Sequence, residues 1–145
     1  MIALSNDPGL TVWGMCLWID HKPVKLFSVK PQGPDKFVDL PPRYATAIDA
    51  VETEFGKIAV VAFEEYGVGI KRARSWAMTQ NTQAVGLIKG YWLNRGITPI
   101  MQPTGSKVKA QAPLIAYKYF RTRRTGNGHE RDALLIGELA GFGRK

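Results

Sequence analysis

The chain has 145 residues, 45% of them hydrophobic, a single cysteine and a formal net charge of +8. This length and apolar content suit one domain spanning 1–145 with its own core, and one cysteine excludes a disulfide-stapled scaffold. No apolar run approaches bilayer length, and the N-terminus lacks a basic segment followed by an apolar one, so we expect a soluble, unexported, cytoplasmic protein with no membrane partner. The charge favours an anionic partner, with nucleic acid ahead of a membrane surface.

In chain order, Met1 to Ser5 reads as a strand, Asp7-Pro8-Gly9 as a turn and Leu10 to Ile19 as a second strand rich in aromatic and β-branched residues. Cys16 lies inside that apolar run and is expected to be buried. Val24 to Val29 is a third strand, and Pro31 to Pro42, with its prolines and glycine, is a connection. From Arg43, the residues Tyr44, Ala47, Ile48, Val51 and Phe55 share one helical face, which Gly56 terminates.

Ile58 to Phe63 is continuously apolar, as in a central strand covered on both sides of a sheet. Ser75 to Asn94 is predicted to be helical with Ala84, Leu87, Ile88 and Tyr91 as its buried stripe. Trp76 and Trp92 are expected in the core, and Gly96 precedes a strand over Ile97 to Met101. A third helix is predicted from Ser106 to Phe120, followed by a basic loop from Arg121 to Gly128. A fourth starts near His129 with Asn127 as its cap. No period suggests a repeat.

Three strands joined by turns, then helix, strand, helix, strand and two helices, is the order of an RNase H-like α/β fold. Its five-stranded mixed sheet would combine a three-stranded antiparallel meander with two parallel strands, flanked by helices. There the first and fourth strands are parallel neighbours. With about 4.8 Å between strands, Asp7 and Glu64 at corresponding ends can share a cation. Ligands bind at such carboxyl ends in open α/β sheets. His129 and Asp132, three apart, lie on one face of the last helix.

These residues carry a specific resemblance. Asp7-Pro8-Gly9 followed by Gly14, then Glu64 after its apolar run, then His129-x-x-Asp132-Ala133-Leu134, resembles the RuvC-type Holliday junction resolvases, particularly the short phage-encoded members. The resemblance spans nearly the whole chain. It implies a dimeric endonuclease of a bacterial cytoplasm or phage-infected cell that makes paired symmetric nicks in four-way and branched DNA. The chemistry would need two Mg²⁺ ions, with Mn²⁺ able to substitute, and no nucleotide cofactor.

Two cations about 3.5–4 Å apart activate a water and stabilise the leaving 3′ oxygen of a phosphodiester, and carboxylates are natural ligands for such hard ions. By the resemblance, Asp7 would bridge the metals, Glu64 would hold one and Asp132 the other. His129 stands where the family usually has an acid, and it is either a further ligand or a group near the attacking water. Trp13 also departs from the family, which has a small or hydroxyl residue there. Glu65 is a second acid beside Glu64, but strand alternation lets only one of them face the site, and the motif favours Glu64.

Basic residues gather in three groups: Lys71, Arg72 and Arg74; Lys107 and Lys109; and Lys118, Arg121, Arg123 and Arg124. Beside the carboxylates they suit phosphate contacts, which supply sequence-independent DNA affinity. Lys107 or Lys109 could match a lysine that faces the scissile phosphate in relatives, with Lys109 preferred. Tyr66-Gly67-Val68-Gly69-Ile70 reads as a rim loop whose apolar side chains either wedge into a junction or pack on the body. Helix 75–94 is a candidate dimer surface. Three alternatives stay open: a junction-binding protein without turnover, an RNase H-like nuclease on RNA–DNA hybrids, and an actin-like or sugar-kinase relative. The chain is short for the last and has no glycine-rich phosphate loop.

Overall fold

Strand β1 (Ile2–Asp7) is the middle of the sheet, with β2 (Trp13–Ile19) antiparallel on one side and β4 (Val60–Glu65) parallel on the other. β3 (Lys22–Val29) extends the antiparallel side and β5 (Ile100–Pro103) the parallel side, giving the order β3-β2-β1-β4-β5 among the described residues. This is the expected mixed RNase H-like sheet. The structure, a computed structural model, describes residues 1–65 and 76–145. Tyr66-Gly67-Val68-Gly69-Ile70, Lys71, Arg72 and Arg74 lie outside the described residues, as does the side chain of Trp76.

Alternation along the strands builds two unlike faces. One carries Leu4, Trp13, Met15, Leu17, Val61 and Phe63 against α1 (Lys36–Phe55) and α2 (Trp76–Asn94). The other carries Ala3, Cys16, Trp18 and Ala62 against α4 (Ala112–Phe120) and α5 (Gly128–Leu139). Each fully buried large apolar side chain contributes about 1.5–3 kcal/mol. α5 lies close on the sheet because Gly137 has no Cβ, which would stand 2.3 Å from the Trp18 indole nitrogen. Asn6, the one buried amide of the first face among the described residues, accepts from Trp13 Nε1 and Tyr44 OH and donates to the Ala62 carbonyl. That network ties β1 to β4 just before the acidic ends, from Asn6 beside Asp7 to Ala62 two residues before Glu64.

Several predicted boundaries move. Strand β2 begins at Trp13 rather than Leu10, because residues 8–12 form a loop whose Leu10 N–H is held by Asn81 Oδ1 at 3.1 Å. α1 starts at Lys36, inside the predicted connection: the Asp35 carboxylate caps the Phe37 and Val38 N–H groups, and the helix runs on through Pro41 and Pro42. Those prolines cost two hydrogen bonds, and the buried Leu40, Tyr44, Ile48 and Val51 face outweighs them.

On α2 the buried stripe is Ala84, Val85, Ile88 and Trp92, while Leu87 faces outward and Tyr91 is half-buried. Strand β5 begins three residues later than predicted. The predicted third helix is two: α3 (Ser106–Lys109) and α4, separated where Pro113, in the first turn of α4, cannot continue the hydrogen-bond ladder of α3. α5 starts as expected, with a capping box in which Asn127 and Glu130 satisfy each other's backbone N–H groups. Among the described residues no helix is long and apolar enough to cross a membrane.

Candidate active site

The register that pairs Asn6 with Phe63 brings the next residues, Asp7 and Glu64, together at the carboxyl ends of β1 and β4. Both point to the α5 side and both are buried. Glu65 alternates away and is exposed, as the sequence required. Asp7 also pairs with Gly14 across β2. There the N-terminus of α5 rests directly on the sheet, since a Cβ on Gly14 would lie 2.3 Å from the His129 carbonyl oxygen. Gly14 therefore sets how near His129 and Asp132 come to Asp7. Trp13, the departure beside it, packs on the opposite face and leaves the site untouched.

The acids converge on one ammonium. Lys109 Nζ, delivered by the four-residue α3, stands 3.3 Å from Asp7 Oδ1, 2.9 Å from Glu64 Oε2 and 3.7 Å from Asp132 Oδ2. His129 Nδ1 lies 3.0 Å from Asp7 Oδ2. Thr104 Oγ1 donates a short hydrogen bond to Glu64 Oε1. Lys109 approaches Glu64 Oε2 at ion-pair distance but off the line of a hydrogen bond, so this buried oxygen keeps its bonding capacity unfilled.

Burial raises the Glu64 carboxyl to about 7, reinforced by the neighbouring Asp7 carboxylate and opposed by Thr104 and Lys109. Burial pushes Asp7 the same way, but the His129 hydrogen bond, the adjoining Glu64 carboxyl and the Lys109 charge overcome it and leave Asp7 below its usual value. Of the two, Glu64 is the weaker acid and Asp7 the stronger. Asp132 is raised by burial and by the Asp7 charge. His129 is raised by its hydrogen bond to Asp7. Lys109 loses some basicity to burial, yet the surrounding carboxylates raise it on balance.

The five residues singled out as catalytic, Asp7, Glu64, His129, Asp132 and Lys109, are therefore brought together. Among the described residues no three His, Cys, Asp or Glu side chains are arranged as a metal site, because the carboxylates are spread around the Lys109 ammonium. The donor set still fits a hard cation: carboxylate oxygens, one of them buried and unfilled, in a pocket that already attracts positive charge.

Of the other predicted basic residues, Lys107 is exposed on α3, and Arg123 and Arg124 are exposed in the turn leading to α5. Arg121 ends α4 in a left-handed conformation with its guanidinium 6.0 Å above the Tyr117 ring. Lys118 is engaged by Glu138 at 2.5 Å. Sequence reasoning missed Thr104 and Arg131. Thr104 follows β5, next to Glu64 on β4, and counting residues past Met101 would have reached it. Arg131 Nη1 donates to the Thr125 and Gly126 carbonyls and clips the basic loop to α5.

No family model and no curated protein sequence matches the chain. Among solved structures it is similar to Thermus thermophilus RuvC in complex with a Holliday junction substrate, with a TM-score of 0.72 and 17% identity over 98% of this chain and 94% of that one. A second Thermus thermophilus RuvC structure gives 0.72 and 18% over the same shares. The fowlpox virus Holliday junction resolvase gives 0.58 and 14%, over 97% of this chain and 94% of that one. At these identities the likeness establishes the fold, an RNase H-like mixed sheet with flanking helices.

Proposed function

We propose that this chain is a Mg²⁺-dependent, structure-selective endodeoxyribonuclease that resolves four-way and branched DNA by paired symmetric nicks, acting as a homodimer. The observation that carries the reading is the convergence of Asp7, Glu64 and Asp132, from two adjacent parallel strands and a helix, on a single cation position. The fold shared with two junction resolvases supports the choice of substrate.

Asp7, Glu64 and Asp132 would hold two ions, Mg²⁺ or Mn²⁺, with His129 beside Asp7 as a further ligand or a proton carrier. When bound, the ions supply water activation and charge stabilisation at the leaving oxygen. Metal binding would need Glu64 ionised, and its carboxyl, raised to about 7, would make that binding stronger as pH rises through neutrality. With cations held there, Lys109 would no longer be needed to neutralise the three carboxylates, and its ammonium could serve a phosphate oxygen. Thr104, bonded to the other Glu64 oxygen, would hold that carboxylate in orientation. Lys107, Arg123 and Arg124 lie exposed for backbone contacts along the duplex arms.

The reading is tested with a labelled four-way junction, a matched linear duplex and an RNA–DNA hybrid, in Mg²⁺, Mn²⁺ or EDTA, alongside Asp7→Asn. Paired symmetric nicks in the junction that vanish with EDTA and with the substitution are expected. Cutting of the hybrid alone would refute it, and a strictly monomeric mass on DNA would refute coordinated double incision. A second reading, a junction-binding protein without turnover, is favoured by the ammonium standing among the carboxylates. It predicts tight junction binding and no cutting in any metal.

A further inference from the structure

The acidic cluster occupies one end of a larger cleft of about 720 Å³. Its other end is lined by the 8–12 loop, by Lys36 and Phe37 in the first turn of α1, and by Gln80 and Asn81 of α2. None of these side chains takes part in the chemistry above. Asn81, by accepting the Leu10 N–H, ties the loop to α2 and fixes the floor of this arm. Phe37 packs against the core below and lines the cleft above. Among the described residues the Gln80 carboxamide makes no hydrogen bond and Lys36 no ion pair.

Charge and shape decide the kind of occupant. Lys36 is balanced by Asp35 in the same wall, so the arm has no surplus of positive charge to draw a phosphate. An aromatic ring beside an uncommitted carboxamide suits the face and edge of a nucleobase. Stacking on an aromatic ring is open to every base, and a glutamine carboxamide pairs with a base edge through two hydrogen bonds. The volume lies within the range of pockets that enclose small organic groups, roughly 300–1,000 Å³.

The geometry points to this arm as a nucleobase subsite, in which one unpaired base next to the scissile phosphate stacks on Phe37 while Gln80 reads its edge. The inference rests on the endonuclease reading, because it takes the acidic end to hold the scissile phosphate. It adds to that reading a structural source for sequence preference on the strand being cut.

The probe is a four-way junction carrying 2-aminopurine at successive positions around the branch point. It is titrated with Asp7→Asn protein, and with the same protein carrying in addition Phe37→Leu or Gln80→Ala. Leucine keeps the packing against the core while removing the flat ring, and the parent protein is assayed for cutting in parallel. The expected result is a fluorescence change confined to one position, with affinity at least about fivefold lower for Phe37→Leu. Competition among the four bases at that position should show a preference that Gln80→Ala flattens. A change spread evenly along the strand, or one that both substitutions leave intact, would overturn the subsite. A single-position signal in a protein that cuts nothing supports the subsite and refutes the endonuclease reading. Junction cutting without such a signal does the reverse.

Discussion

Replacing Lys109 by methionine removes the ammonium from among Asp7, Glu64 and Asp132 while keeping most of the side-chain length. At 2.9, 3.3 and 3.7 Å the three attractions are each worth about 4–6 kcal/mol at an effective dielectric constant of about 20, before desolvation is charged against them. Breaking a buried ionic group by removing one partner costs about 3–5 kcal/mol net. Lys109 is 30% exposed, so solvent screening lowers that to about 2–3 kcal/mol. For a chain of this size the melting temperature should fall by roughly 5–10 °C in EDTA at pH 8, where all three carboxyls are ionised once the protein unfolds. The same ammonium competes with a metal for the carboxylates, so its removal should tighten Mn²⁺ binding by about 10- to 100-fold in calorimetry, the equivalent of roughly 1.4–2.8 kcal/mol. An unchanged metal-free melting point together with unchanged or weaker Mn²⁺ affinity would refute the argument, since the cluster would then be organised without the lysine.

Gly14→Ala should misplace the N-terminus of α5, destabilising the fold by about 1–3 kcal/mol and lowering junction cutting by about 100-fold, read by melting and single-turnover assays. Glu64→Gln should lower cutting by at least ~100-fold while Glu65→Gln leaves it within about twofold, because only the first carboxylate faces the site. In EDTA the folded Glu64 holds its proton up to about 7, against 4.5 for the free group, so the folded state binds more protons and stability should fall as pH rises between those values. Asp132 and His129, both raised, slope the same way, whereas the lowered Asp7 acts only below its ordinary value of 3.8. Melting curves from pH 5 to 8 should therefore decline, and less steeply in Glu64→Gln. Arg123→Ala or Arg124→Ala should each reduce the salt dependence of junction binding by about one unit of log–log slope, the value for a single neutralised phosphate, measured by anisotropy.

Much of the fold was legible because its signals are local. The apolar run ending at Glu64, the alternation that turns Glu65 outward and the Asn127–Glu130 cap all act within a few residues. The acidic set was legible too, since parallel neighbours β1 and β4 follow from the order of elements. What failed was also physical. The prolines at 41 and 42 signalled a connection, yet tertiary burial of Leu40 and Tyr44 carries α1 through them. The stripe on α2 turned because Trp92 donates to Tyr44 OH across the core, a pairing that no periodicity contains.

By itself, then, the sequence determined the order of the strands and most of the helices and which strand ends carry acids, because hydrogen-bond periodicity and capping are short-range. Only the tertiary structure decided that Lys109, 102 positions from Asp7 and 45 from Glu64 along the chain, places its ammonium between them. It likewise decided that Gly14 admits α5 against the sheet and that Thr104 secures Glu64. Those contacts depend on where whole elements dock, which is settled by close packing over the entire core.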